Sequence, residues 1–170
     1  RQMSIKVGDK APDGKMVPFE FLSSRDDSGK ETLFSEATKG KTTLLVFWSP
    51  YCGVCVPKLA EIAELRKTYS DEKVAIVALT NQNMKAPEEK NAREQFLTQF
   101  PEETQDALKK AETTVPLFVE TPDEKGRTMG MLWGIRSIPF FAVMDKDGKI
   151  MEMSIGDMAP AAKMLKKLAR

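Results

Sequence analysis

Thr42-Thr43-Leu44-Leu45-Val46-Phe47-Trp48 runs directly into Ser49-Pro50-Tyr51 and then Cys52-Gly53-Val54-Cys55. The first seven residues form an unbroken run with β-branched and aromatic members. That is the pattern of a strand buried on both faces, and therefore of the centre of a covered sheet. Ser49-Pro50-Tyr51 breaks the strand. From 57 to 69 the apolar residues Leu59, Ile62, Ala63 and Leu65 recur at helical spacing, and 73–79 is a second two-faced strand. Strand, helix and strand at these lengths make a βαβ unit with parallel strands. The two cysteines thus fall between a central strand and the helix that follows it.

Outward from this unit the chain reads as α/β throughout. Residues 8–14 are a loop on composition, 17–22 a short strand, and Asp26-Asp27-Ser28-Gly29-Lys30 a hairpin turn. Residues 33–38 read as one or two helical turns ending at Gly40. The polar stretch 81–114 reads as two helical pieces. Pro87 and Pro101 sit at first-turn positions, and Ala92, Phe96, Leu97 and Phe100 form an apolar stripe. A strand at 115–120, a loop at 121–126 and a short helix at 128–133 closed by Gly134 come next. Two strands, 140–144 and 149–155, joined through Asp145-Lys146-Asp147-Gly148 make a hairpin, so the sheet turns antiparallel there. Residues 157–170 form a closing helix, with Lys166, Lys167 and Arg170 at its dipole-favoured end. The expected architecture is a mixed central sheet with helices on both faces, an N-terminal hairpin within 5–41 and a helical insert at 81–114, all in one domain, 1–170.

Composition narrows the chemistry. With 170 residues the chain can bury roughly 70% of its unfolded surface, so it folds without staples. Lys and Arg number 26 against 25 Asp and Glu, leaving a net charge of +1 and no general electrostatic grip on nucleic acid or anionic lipid. Histidine is absent, which excludes Ser-His and Cys-His nucleophile pairs, His-ligated metals and imidazole pH switches within the chain. Cys52 and Cys55 then have three readings. Half a zinc site would need ligands beyond two sulfurs. A structural disulfide across so short a loop removes little chain entropy. A redox dithiol gains support from position: the unpaired N–H groups and positive dipole of a helix start stabilise a thiolate at Cys52, and Cys55, one turn on, can attack a mixed disulfide. No metal or organic cofactor is called for; the redox-active disulfide is the working group.

The run Phe47-Trp48-Ser49-Pro50-Tyr51-Cys52-Gly53-Val54-Cys55 resembles the active site of the thioredoxin fold. Val7-Gly8-Asp9-Lys10-Ala11-Pro12-Asp13 resembles the opening of its TlpA/ResA-like and peroxiredoxin-like branches, with their AhpC/TSA-type N-terminal extension. Ser137-Ile138-Pro139-Phe140 resembles the loop carrying the family's cis-proline. The resemblance covers essentially the whole chain and is least at 81–114. It implies a thioredoxin-like fold, a thiol–disulfide oxidoreductase with Cys52 and Cys55 as catalytic residues, and a cis bond before Pro139. In that reading the Ile138 backbone receives an extended substrate segment, and Trp48 and Tyr51 flank the dithiol as an apolar lip, Trp48 reading equally well as core. Trp133 is another candidate for that lip, with core packing favoured. The chain departs from the family at Val46, where thioredoxin has a buried Asp, and at Asn83, where ResA-like proteins have a Glu. Val54 replaces a proline between the cysteines and adds an N–H, while Pro57 stands earlier in its helix than the family's proline.

The same resemblance implies disulfide-containing protein substrates, reductase rather than oxidase action, and re-reduction by a transmembrane thiol donor. It also implies a bacterial extracytoplasmic location, with a membrane tether preceding Arg1 and a role in cytochrome c maturation or disulfide repair. Two alternatives stand beside it. Ser49, three residues before Cys52, fits a peroxiredoxin-like thiol peroxidase, although Leu45 occupies the place of that family's upstream proline. Ten methionines, five of them at Met129, Met131, Met144, Met151 and Met153, admit a non-enzymatic copper-handling module, since thioethers suit Cu(I); gap-filling in the core is the plainer use.

Overall fold

The structure, a computed structural model, describes residues 5–19, 31–81 and 97–169. Its elements in chain order are β1 (Lys15–Pro18), β2 (Thr32–Leu33), α1 (Phe34–Ala37), β3 (Thr42–Phe47), α2 (Val56–Thr68) and β4 (Val74–Thr80). Then follow α3 (Glu102–Thr114), β5 (Leu117–Thr121), α4 (Met129–Trp133), β6 (Phe140–Met144), β7 (Ile150–Ile155) and α5 (Ala159–Leu168). The strands form one sheet in the order β2-β1-β5-β4-β3-β6-β7. β3, β4 and β5 are parallel, and the flanking pairs are antiparallel.

The two-faced reading of the central strands holds: every residue of β3 and β4 is buried. Alternation splits them between two apolar layers. Leu44, Val46 and Trp48 join Leu59, Ile62, Leu108 and Leu165 on the face covered by α2, α3 and α5. Leu45 and Phe47 join Met16, Phe34, Met129 and Trp133 on the other. Met129 and Met144 are sealed in this second layer, which is the gap-filling use of methionine.

The C-terminal hairpin forms as its Asp-Gly turn dictates. Asp145 Oδ1 accepts from the N–H of Asp147 (2.9 Å) and of Lys149 (3.0 Å), while Gly148 takes φ 82°, a conformation open to glycine. Likewise Gly134 closes α4 in the left-handed region. The first strand is displaced from its expected place: it runs Lys15–Pro18 rather than from 17. Its register is set by pairing across the sheet, Lys15 with Thr121 and Pro18 with Phe118, which no local pattern encodes. The expected turn at Asp26–Lys30, the first helical piece of the insert with Pro87, and Asn83 all lie outside the described residues. Among the described residues, no helix is long and apolar enough to cross a membrane.

Candidate functional site

Strand β3 delivers the chain to the end of the sheet at Phe47, and Trp48 is held there by its N–H donating to the Leu79 carbonyl (3.1 Å). A tight turn follows. Ser49 Oγ accepts from the Tyr51 N–H (3.1 Å) and the Ser49 carbonyl from the Cys52 N–H (3.1 Å). The Cys52 carbonyl then accepts from both Cys55 (3.0 Å) and Val56 (3.3 Å), so the dithiol occupies a helical turn of its own. Regular α2 begins at Val56, one turn after Cys52, with Cys55 in the cap position. The reason is Pro57: lacking an N–H it cannot bond back to Gly53, and proline is at ease only in a helix's first turn.

Cys52 and Cys55 form a disulfide, with Cα atoms 5.2 Å apart. The two sulfurs have different surroundings. Cys52 is half-buried at the surface, whereas Cys55 is 1% exposed and belongs to the core layer beneath. Between them, Gly53 and Val54 are exposed, Val54 to 66%.

The other residues singled out from sequence converge on this end of the sheet but differ in access. Tyr51 is 57% exposed and its ring packs at a 45° tilt on Phe100, centroids 5.0 Å apart, tying the start of the dithiol turn to the segment before α3. Trp48 is only 2% exposed and packs against Phe19, so it forms the floor beneath the site rather than a free lip. Trp133 is core, as its local context favours, within 6.0 Å of Phe47 and 6.3 Å of Phe140. The indole N–H groups of both tryptophans are buried without a partner among the described residues; packing alone positions these rings. The Ile138–Pro139 bond is cis, as the resemblance implied. Pro139 is buried and accepts from the Gly156 N–H through its carbonyl (2.8 Å). The backbone N–H and C=O of Ile138 have no hydrogen-bond partner among the described residues.

Beside Trp48 and Ile138 opens a cavity of about 670 Å³, within the range of ligand-sized pockets. Phe47, Leu79 and Ile135 extend its apolar wall, and Glu120, Arg127 and Arg136 supply the charge. It lies at the carboxyl ends of the parallel strands, the usual crevice of such sheets. Sequence reading missed these three charged residues. The available signal was Glu120 at the last turn-facing position of β5, at the same end of the sheet as the cysteines. Its Oε2 accepts from the Gly130 N–H (2.7 Å) in the first turn of α4, capping that short helix together with Thr128. A Cβ on Gly130 would come within 3.0 Å of that oxygen, so the pair is keyed. Replacing Glu120 by Ala should therefore loosen the cavity wall and cost about 1–2 kcal/mol, read as a lower urea midpoint at unchanged slope.

Arg127 is set by Asp123, whose Oδ1 accepts from the backbone N–H of Lys125 (2.8 Å) and Arg127 (2.9 Å) and whose Oδ2 accepts from Arg127 Nε (3.0 Å). These contacts, the Arg127 backbone N–H first, hold the Asp123 carboxyl below the usual carboxylate range. The clamp is thus intact at neutral pH and is lost only as pH falls through that lowered value.

A family model described as Redoxin matches residues 6–168. The chain is 28% identical over 158 residues to the thioredoxin-like protein YneN of Bacillus subtilis, covering 93% of this chain and 76% of that one. It is 27% identical over 153 residues to the thiol-disulfide oxidoreductase ResA of Bacillus anthracis, covering 90% and 72%. Among solved structures it resembles the thioredoxin domain of a thiol-disulfide oxidoreductase from Bacteroides vulgatus, at 15% identity and TM-score 0.66 over 97% of this chain and 99% of that one. The exposed lipoprotein thioredoxin of Streptococcus pneumoniae is similar at 22% identity and TM-score 0.60, covering 92% and 100%.

Proposed function

The chain belongs to the Redoxin family as a thioredoxin-fold thiol–disulfide oxidoreductase of the ResA/TlpA-like kind, and from that premise we propose that Cys52 is its attacking sulfur and Cys55 its resolving one. The observation that carries the assignment is the asymmetry of the disulfide, one sulfur at the surface and its partner sealed in the core. In the reduced protein the Cys52 thiolate attacks a substrate disulfide; one S–S bond forms as another breaks, and a substrate thiolate leaves. Cys55 then attacks the Cys52 sulfur, restoring the Cys52–Cys55 disulfide and releasing the second substrate thiol. Two electrons have passed to the substrate, and no bound cofactor takes part.

Ile138 and Pro139 receive the substrate in this reading. The unpartnered N–H and C=O of Ile138 suit an extended segment paired in β fashion. Tyr51 offers an exposed ring beside Cys52, while Trp48 supports the turn from below. Disulfide-containing proteins are the substrates, reduction is the direction, and a membrane thiol donor restores the dithiol. An exposed lipoprotein among the structural relatives supports a bacterial extracytoplasmic site with a tether. We read 1–170 as one unit. Pairing of β1 with β5 in the common sheet supports that for the 5–41 extension, and packing of α3 beside α2 supports it for the 81–114 insert.

The test is the Cys55→Ser protein, which lacks the resolving sulfur. In its native compartment it should accumulate mixed disulfides through Cys52, seen as thiol-sensitive bands on non-reducing gels. A trap that stays empty, while the wild-type protein cycles, would refute these roles.

A further inference from the structure

Resting on the reading that Cys52 exchanges with protein disulfides, we propose that the cavity bordered by Trp48 and Ile138 selects substrates by an apolar side chain and a carboxylate two residues apart, the carboxylate being held by Arg127. The cavity combines two kinds of lining. Half-buried Ile135 and Ile138 and exposed Met131, backed by the sealed Phe47, Trp48 and Leu79, make an apolar wall suited to an aliphatic or aromatic side chain. On the α4 side stands Arg127, whose hydrogen bond to Asp123 uses Nε alone. Its terminal guanidinium nitrogens make no hydrogen bond among the described residues, and its side chain is half exposed. A guanidinium pre-aimed through Nε with its end free fits a carboxylate well.

The commitments of the charged groups point the same way. Of the three charged residues in the lining, two are arginines. The carboxylate of Glu120 is already committed to the Gly130 N–H (2.7 Å). Asp123 offsets the charge of Arg127 from outside the lining, so an incoming carboxylate is held by hydrogen bonds from the end of the Arg127 guanidinium, while an incoming cation would have to compete with the Gly130 N–H for Glu120. The occupant is a polypeptide rather than a small acid because the cavity lining includes Ile138, whose N–H and C=O, without a partner among the described residues, match a peptide backbone. A chain paired there is extended, so every second side chain faces the cavity. The apolar anchor and the acid must then be separated by one residue.

The experiment uses synthetic peptides, each joined through one cysteine to a fluorogenic thiol as a disulfide. Beside the cysteine they carry Leu-Ala-Glu, Leu-Ala-Gln or Leu-Glu-Ala. The wild-type protein, reduced beforehand, should cleave the first about three- to tenfold faster in kcat/KM than the other two, with the advantage shrinking as salt is raised. R127Q should cleave all three at one common rate, and R127E should prefer a Leu-Ala-Lys peptide. Equal wild-type rates on the Glu and Gln peptides would overturn the proposal, as would a preference that survives in R127Q. Faster cleavage of oxidised glutathione than of the Leu-Ala-Glu peptide would overturn it in favour of a small acidic disulfide. Insulin reduction by dithiothreitol, run alongside, separates the two levels. Insulin turnover without peptide preference defeats only this inference, whereas no turnover of insulin or peptide defeats the underlying assignment.

Discussion

Replacing Cys52 by Ser is expected to bring thiol–disulfide exchange down to background, a fall of at least about three orders of magnitude. Disulfide exchange needs a sulfur anion as nucleophile, and a serine hydroxyl neither ionises at neutral pH nor forms the mixed disulfide. Cys55 cannot substitute for it. At 1% exposure, in the layer with Trp48 and Leu59, its sulfur has no path to a protein disulfide. Insulin reduction followed by turbidity measures the loss directly. The fold should persist, because Cys52 lies outside regular α2 and the change is nearly isosteric; unchanged far-ultraviolet dichroism would verify this. A C52S protein keeping even a tenth of wild-type exchange would reverse the assignment of the two sulfurs. A C52S protein that still consumed hydrogen peroxide would likewise count against Cys52 as the peroxidatic sulfur of the alternative reading.

The second large effect concerns stability. Phe141, the second residue of β6, is completely buried opposite Val46 of β3 and Ser154 of β7, within the layer covered by α2, α3 and α5. Truncation to Ala removes a ring that neighbours cannot replace, so transfer and cavity terms add to about 3–5 kcal/mol. Domains of this kind are stable by only about 5–15 kcal/mol, so the urea midpoint should fall steeply while the slope holds. Val54→Ala offers the contrast. At 66% exposure it should move stability by no more than about 0.5 kcal/mol. If the two variants unfolded alike, the two-layer description of the core would be wrong.

The particular elements divide according to where their information lies. β3 and β4 were legible because burial on both faces leaves an uninterrupted apolar run, a property of consecutive residues. The β6–β7 hairpin was legible because Asp145 and Gly148 meet the stereochemical demands of the turn locally. The cysteines were legible through their place between a buried strand and a helix. The start of α2 was legible in part: Pro57 marks it, but the additional helical turn holding Cys52 depends on bonds from Cys55 and Val56 that the pattern does not specify. Trp48 could be read equally as lip or core, since an aromatic after a strand fits both, and only its packing against Phe19 decides.

By itself, the order of residues determined the α/β class, the central strands, the placement of the dithiol and the absence of imidazole chemistry. Each follows from periodicity, composition or adjacent stereochemistry. The tertiary structure alone decided that Cys55 is sealed while Cys52 is not, that Tyr51 packs on Phe100, and that Glu120 reaches Gly130. It also decided that Arg127 shares a cavity with Trp48 and Ile138. Those meetings join residues far apart in the chain, and they depend on strand order and side-chain direction. Both are set when the sheet closes its two layers, because only then does burying one face fix what each neighbouring side chain must touch.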